Sequence, residues 1–214
     1  MSTWDRIEGS GVIAVLVIDD AAHARPLAEA LLAGGVEVME LTLRTDAALD
    51  ALRVIRREVP DMLAGIGTVL TTEQVEQVRE ADGAFAVAPG CNPRVVRRAR
   101  ELDLPFAPGV ATPSDVEAAL ELGCRQLKFF PAEPAGGMPY LKSMMAPYAH
   151  LGVKYVPLGG LNAQNMTDYL SHPAVPAVGG SWIAKRDLIQ NADWAAITER
   201  AAEARRIIDD LRKQ

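Results

Sequence analysis

The sequence has 214 residues, of which 49% are apolar and 23% are charged, and its formal net charge at pH 7 is −6. These values are typical of a globular protein with a large core, and they argue against a nucleic-acid partner because no basic stripe is visible. The sequence contains no apolar run of bilayer length and no apolar signal segment, so we expect no membrane association and a cytoplasmic location.

Short apolar segments alternate with amphipathic helical segments along the chain. The pattern predicts a short leading helix over residues 2–9 and a terminal helix over residues 192–213. Thr72 and Thr112 are the predicted N-caps of two helices in between. Eight strands are predicted, at residues 11–19, 36–44, 63–69, 84–90, 105–111, 126–132, 154–160 and 174–181.

Eight strand–helix units in a chain of this length predict a specific α/β architecture. Strands that alternate with helices pair in parallel, and eight such units close into a (β/α)8 TIM barrel. We therefore predict a single TIM-barrel domain over residues 1–214. The alternative is an open, doubly wound sheet, although no GxGxxG motif follows the first predicted strand.

The second and sixth predicted strands contain charged residues that bear on function. Active sites of such barrels lie at the carboxyl ends of the strands. Alternation places Glu40 and Arg44 on the inner face of the second strand, and it places Lys128 and Phe130 together in the sixth. One buried charge is as well explained by a self-satisfied ion pair as by function. Three charges that converge on the mouth favour function.

These residue types predict the chemistry of a Schiff-base lyase. A lysine among apolar and aromatic groups loses hydration, which favours the neutral, nucleophilic amine that attacks a ketone. The resulting iminium accepts electrons while a nearby C–C bond breaks. Glu40 can transfer the protons, and the planar guanidinium of Arg44 suits a carboxylate. The predicted substrate is a 2-keto acid.

Glycine pairs end the last two predicted strands. Gly159 and Gly160 end the seventh predicted strand, and "GGS" at residues 179–181 ends the eighth. Either pair alone could be a tight turn. Backbone N–H groups after these two strands often bind phosphate in TIM barrels, so two pairs there favour a phosphate site.

The sequence resembles the class I 2-keto-3-deoxy-6-phosphogluconate (KDPG) aldolase family of the Entner–Doudoroff route. Many members of that family also cleave 4-hydroxy-2-oxoglutarate (KHG). The resemblance covers nearly the whole chain, and the order and spacing of two of its motifs are highly specific. The stretches that carry it are "ELTLRT" (40–45), "GIGTVL" (65–70), "FAVAPG" (85–90), "PFAPGVATPSD" (105–115), "KFFPAE" (128–133) and "VGGSW" (178–182).

The resemblance implies a set of residue roles. Lys128 is expected to form the Schiff base, and Glu40 is expected to act as general acid/base. Arg44 and Thr68 are expected to hold the pyruvyl carboxylate. The remaining implied contacts are Pro89 and Phe130 in the pocket wall and Gly159, Gly160, Gly180 and Ser181 at the phosphate. The resemblance also implies a homotrimer of carbohydrate metabolism that uses no metal and no organic cofactor.

Leu158 departs from the family pattern. Members that are strict for the gluconate-type substrate tend to have threonine immediately before the glycine pair of the seventh strand. Leucine removes that hydroxyl from the substrate-binding region, so a 2-keto-3-deoxy-6-phosphogalactonate aldolase or a broad pyruvate aldolase is an alternative. We favour the interpretation of Leu158 as a tolerated packing variant.

Other classes of protein are less well supported. A metal-dependent aldolase needs clustered ligands, whereas His23, His150 and His172 fall outside the inward strand ends. A non-catalytic sugar-phosphate-binding barrel would not need Lys128, Glu40 and Arg44 together. A barrel isomerase or synthase of phosphorylated metabolites is an alternative that the fold alone leaves open and that Schiff-base trapping would distinguish. Cys91 and Cys124 lack the spacing of a metal or redox site and are expected to be incidental thiols.

Overall fold

The computed structural model describes residues 1–213, so Gln214 lies outside the described residues. The strands are β1 (Val12–Leu16), β2 (Val38–Thr42), β3 (Leu63–Gly67), β4 (Ala86–Val87), β5 (Phe106–Ala107), β6 (Gly109–Val110), β7 (Gln126–Phe129), β8 (Lys154–Pro157) and β9 (Val178–Gly180). The helices are α1 (Thr3–Ser10), α2 (Ala24–Ala33), α3 (Ala48–Glu58), α4 (Thr72–Glu80), α5 (Pro93–Glu101), α6 (Pro113–Glu121), α7 (Gly137–Met145), α8 (Met166–Leu170), α9 (Arg186–Gln190) and α10 (Trp194–Arg212).

The strands form a closed parallel barrel. One sheet has the order β5-β4-β3-β2-β1-β9 and the other has the order β6-β7-β8. A parallel bridge between Leu158 and Gly179 joins β8 to β9. β5 and β6 are two halves of the predicted fifth strand, divided at Pro108, whose carbonyl still accepts a hydrogen bond from the Lys128 N–H at 2.9 Å. The predicted (β/α)8 fold is therefore confirmed, and the open-sheet alternative is wrong.

All eight predicted strands are shorter in the structure than the sequence pattern indicated, and two of them end just before a site residue. The strand predicted over 36–44 ends at Thr42, and the strand predicted over 126–132 ends at Phe129. In the first case, the Arg44 N–H donates to the Thr42 carbonyl at 2.7 Å, so the chain turns there. Apolar–polar alternation continues through this turn, which explains why the pattern overestimated the strand.

Side-chain caps mark the starts of several helices. Thr112 caps α6 as predicted, by accepting from the Asp115 N–H. The predicted cap Thr72 is wrong, because the preceding Thr71 accepts from the Gln74 N–H and caps α4. Across residues 1–213, no helix combines the length and the hydropathy that a membrane crossing needs.

The apolar core has two parts. Met39 and Leu41 belong to the outer part, between the strands and the surrounding helices. The inner part fills the barrel near the starts of the strands, where Ile13, Val38 and Phe85 pack together. The inward side chains nearer the carboxyl ends of the strands lie directly above this apolar layer. Their surroundings are therefore of low polarity.

The first helix and the end of the last helix lie at the floor of the barrel, opposite the carboxyl ends of the strands. Ile7 of α1 is buried in the inner apolar cluster, and Trp4 packs against the same cluster. The guanidinium of Arg212, at the end of α10, donates to the carbonyls of Glu8 and Gly9 at 2.7 Å each. The assignment of residues 1–214 to one domain stays a prediction.

Candidate active site

Lys128 and Glu40 form a buried ion pair inside the barrel. The Nζ atom of Lys128 on β7 lies 2.9 Å from the Oε1 atom of Glu40 on β2, and the two side chains are 8% and 2% exposed. Burying both charges costs desolvation energy that offsets much of their attraction, so such a pair contributes little net stability. A stabilising role therefore explains its presence poorly, and a chemical role explains it better.

Gly67 provides the space that Glu40 occupies. Gly67 is the register partner of Thr42, two residues beyond Glu40 on β2. A Cβ atom at residue 67 would lie 1.8 Å from Glu40 Oε1 and 2.6 Å from its Cδ. Only glycine at this position leaves the carboxylate where it meets Lys128. The sequence analysis missed this role, although glycine inside a strand is itself a sign of a close approach.

Thr68 has a backbone conformation that few β-branched residues adopt. Its φ is 64°, in the left-handed region. Such conformations cost of order 1–3 kcal/mol and persist where the surrounding structure enforces them, often at functional sites. Thr68 directly follows Gly67 and lines the same cavity as the ion pair. Local strain thus coincides with the predicted carboxylate-binding position.

A cavity of about 670 Å³ opens above the ion pair at the carboxyl ends of the strands. It is large enough for a small organic ligand. The structure brings together in its walls every residue that the sequence analysis assigned to the site, although their individual roles stay predictions. These residues are Glu40, Arg44, Thr68, Pro89, Lys128, Phe130, Leu158, Gly159, Gly160, Gly180 and Ser181.

Two large side chains make the cavity apolar beside the lysine. The centroid of the Phe130 ring lies 5.6 Å from Lys128 Nζ, a distance at which the ring face attracts a cation. Leu158 is 5% exposed, and a Cβ at Gly179 would lie 2.7 Å from Leu158 Cγ. This close fit of Leu158 against β9 supports its interpretation as a packing residue.

The glycines after β8 and at the end of β9 are required by close contacts. Gly159 and Gly160 have φ values of +100° and +87°. A Cβ at Gly160 would lie 2.6 Å from the Cβ of Glu133, and a Cβ at Gly180 would lie 2.0 Å from the Trp182 ring. The backbone of both loops is therefore exposed to the cavity without side chains in between. This arrangement is physically compatible with phosphate binding by the backbone, which stays a prediction.

Cations surround the mouth of the cavity. Arg186 donates to both carboxylate oxygens of Asp19, at 2.5 and 2.9 Å. Its hydrogen bonds, with one from Gln190, lower the pKa of the Asp19 carboxyl to about 2. Arg44 and Lys185 also line the mouth, and neither has a carboxylate oxygen within 4.0 Å among residues 1–213. Sequence reasoning missed Lys185 and Arg186.

The histidines and cysteines lie away from this cavity. His23, His150 and His172 do not line it, and the described part of the chain contains no group of three or more His, Cys, Asp or Glu residues arranged for a metal ion. Cys91 is half-buried and Cys124 is buried. Burial raises the pKa of the Cys124 thiol to about 11.

Comparison with known proteins agrees with this geometry. Residues 5–200 match the family Aldolase: KDPG and KHG aldolase. The chain is 40% identical to the KHG/KDPG aldolase of Escherichia coli (strain K12) over 193 residues, which are 90% of each chain. The crystal structure of the KDPG aldolase from Legionella pneumophila, with pyruvate captured as a covalent carbinolamine, superimposes with a TM-score of 0.90 at 40% identity and covers 95% of this chain and 98% of its own.

A second solved structure is similarly close. The 2-keto-3-deoxy-6-phosphogluconate aldolase of Zymomonas mobilis ZM4, with 3-phosphoglycerate, superimposes with a TM-score of 0.87 at 41% identity over 94% of each chain. The shared barrel, the near-complete coverage and the identity of about two residues in five lead to one conclusion. The chain belongs to the KDPG and KHG aldolase family.

Proposed function

We propose that this protein is a class I aldolase that reversibly cleaves 2-keto-3-deoxy-6-phosphogluconate to pyruvate and D-glyceraldehyde 3-phosphate. The observation that carries the proposal is the Lys128–Glu40 pair, buried at 2.9 Å beneath an open cavity at the barrel mouth. An amine and a carboxylate in contact can exchange a proton without leaving an uncompensated charge in a site of low polarity. That exchange provides the nucleophile.

Schiff-base formation uses both members of the pair. Glu40 accepts a proton from the Lys128 ammonium, and the neutral amine attacks the C2 carbonyl carbon to form a carbinolamine. Glu40 then donates a proton to the departing C2 oxygen, which leaves as water. The product is a protonated imine between Nζ and C2.

Bond cleavage follows from the charge on this imine. A base removes the proton of the C4 hydroxyl, the C3–C4 bond breaks, and its electron pair moves into C2–C3 to give an enamine. Glyceraldehyde 3-phosphate leaves as the aldehyde. Protonation at C3 regenerates the imine, and water hydrolyses it to pyruvate and free Lys128. Glu40 is the carboxylate in contact with Nζ and is therefore our candidate for these proton transfers.

The cavity walls supply the remaining contacts of the proposal. Arg44 and Thr68 are assigned to the C1 carboxylate, while Pro89 and Phe130 form the wall beside C3 and C4. The loop residues Gly159, Gly160, Gly180 and Ser181 are assigned to the phosphate. Two solved relatives support these assignments, since one holds pyruvate as a carbinolamine and the other holds a phosphorylated three-carbon acid.

We propose KHG as a second substrate, cleaved to pyruvate and glyoxylate, because a relative at 40% identity carries both names. The C4 configuration is a separate question that Leu158 raises. Leu158 lacks the hydroxyl that would contact the substrate near C4. We expect cleavage of the gluconate-type epimer to exceed that of the galactonate-type epimer, and we expect Leu158→Thr to increase this preference. Equal rates on both epimers would favour a broad pyruvate aldolase.

We also propose a cytoplasmic homotrimer, on the basis of the family resemblance. Sedimentation equilibrium of the purified protein tests the trimer, because the mass of one chain is 23.0 kDa and the mass of a trimer is three times greater. A single species with the mass of a monomer or dimer would contradict it.

Borohydride trapping tests the central proposal. The protein is incubated with pyruvate and sodium borohydride, and the reduced adduct is located by peptide mass mapping. We expect one adduct, on Lys128, and none in Lys128→Met. Lys154→Met is the matched control, because Lys154 lies on the neighbouring strand β8 and donates to the Pro173 carbonyl at 2.8 Å. A folded wild-type protein without an adduct would refute the aldolase mechanism.

A further inference from the structure

Some of the cationic side chains around the cavity have an acidic partner and others do not. Lys128 is paired with Glu40, and Arg186 is paired with Asp19. Arg44 and Lys185 are the lining cations that have no carboxylate within 4.0 Å in residues 1–213. The chain as a whole carries a net charge of −6, so this local excess of positive charge is not a general property of its surface. Two unmatched cations suit a ligand with two anionic groups.

Lys185 is fixed on the rim by the backbone around it. The neighbouring residues Ile183 and Ala184 are 0% and 1% exposed, which anchors the segment below the rim. The Lys185 carbonyl accepts from the Ile189 N–H at 3.1 Å. Arg200 also donates to the Trp182 carbonyl at 2.9 Å. The backbone of Lys185 is therefore held in place, while the residue is exposed and lines the cavity.

Lys185 lies close in the chain to the glycine end of β9. Lys185 is four residues beyond Ser181, and both line the cavity together with Gly180. The flexible lysine stem places a point charge beside backbone N–H groups that carry no charge of their own. Arg186, its neighbour in the chain, is held by Asp19 and is less able to serve an incoming anion.

We infer that Lys185 is a specificity residue that selects ligands with a terminal phosphate dianion over ligands with an uncharged end. This inference rests on the proposed function and deepens it, because it adds a side-chain cation to the backbone groups assigned to the phosphate. Arg44 takes the carboxylate, and Lys185 takes the phosphate. An exposed charge pair of this kind changes affinity modestly, so we expect an effect of about fivefold.

Equilibrium binding tests the inference without using catalysis. The dissociation constants of 3-phosphoglycerate and of glycerate are measured by calorimetry on wild type, Lys185→Ala and Lys185→Arg. We expect Lys185→Ala to weaken 3-phosphoglycerate binding about fivefold, to leave glycerate unchanged, and to lose its effect at high salt. Lys185→Arg should restore most of the binding. Lys213→Ala is the matched control, since Lys213 is an exposed lysine that does not line the cavity.

The outcomes separate this inference from the proposed function. Equal weakening of both ligands by Lys185→Ala, no change in either, or no binding of 3-phosphoglycerate to wild type would overturn the role of Lys185. Trapping of pyruvate on Lys128 is decided independently, because pyruvate has no phosphate. We expect pyruvate to be trapped on Lys128 of Lys185→Ala at the wild-type rate. Slower trapping would indicate a general structural role of Lys185 instead.

Discussion

Replacement of Gly67 by alanine tests whether the active site depends on the position of the Glu40 carboxylate. The added Cβ would lie 1.8 Å from Glu40 Oε1, so the oxygen must move by about 1.5 Å to reach ordinary van der Waals separation. That movement disrupts the 2.9 Å contact with Lys128. Glu40 is 1% exposed, so in its present position the carboxylate has almost no contact with solvent.

The expected effect is larger on activity than on stability. Misplacing a catalytic group by about 1 Å costs on the order of 10²-fold in rate, and losing general acid–base catalysis costs about 10²- to 10⁴-fold. Disrupting a buried ion pair destabilises a protein by about 3–5 kcal/mol when one charge is left unpaired, and repositioning both groups toward the cavity reduces this cost. We therefore expect kcat to fall at least about 100-fold with a folded protein.

The assay combines steady-state cleavage of KDPG, the rate of borohydride trapping and thermal unfolding. Two alanine variants serve as controls. Gly90→Ala has no atom within 4 Å of the new Cβ and should behave as wild type. Gly65→Ala brings a Cβ to 2.6 Å from the Phe85 ring, so it should lower stability by overpacking the inner apolar cluster and not by a clash with the Glu40 carboxylate. If Gly67→Ala is folded and still cleaves KDPG and is trapped at the wild-type rates, the reasoning is refuted.

Three further predictions concern groups around the site. Arg44→Ala should raise KM about tenfold for phosphorylated and unphosphorylated 2-keto acids alike, because the lost guanidinium serves the carboxylate that both share; a KM change confined to phosphorylated substrates would contradict it. The Asp19 pKa lies below its ordinary 3.8, at about 2, so Asp19 contributes stability above about pH 4 and loses it as the pH falls toward 2. The difference in Tm between wild type and Asp19→Asn should therefore shrink on acidification, and a growing difference would contradict this sign. Burial raises the pKa of both thiols, so iodoacetamide at neutral pH should modify half-buried Cys91 slowly and Cys124 more slowly still, as followed by peptide mass; faster modification of Cys124 would count against its burial.

The sequence predicted the barrel well because its signals are local and repeated. Each predicted strand contains a strand of the structure, since apolar runs bounded by helices leave few other arrangements. The division of the fifth strand at Pro108 was not foreseen. Proline lacks an N–H, and at this position it interrupts the ladder without opening the barrel.

Contacts across the site were harder to predict because they join distant parts of the chain. The inward direction of Glu40 followed from alternation, but its contact with Lys128 joins residues 88 apart. The pairing of Arg186 with Asp19 spans 167 residues and left no local signal. The space at Gly67 depends on the register of β2 against β3, which the pattern of one strand cannot determine.

The placement of α1 and of the end of α10 at the barrel floor has a practical consequence. α1 packs against the inner apolar cluster, and Arg212 ties the last helix to Glu8 and Gly9 on the side away from the cavity. A fusion partner, an affinity tag or a surface linker attached at either end would therefore extend away from the mouth. The barrel can be displayed on a particle or a support by either end with its cavity facing the surrounding solution.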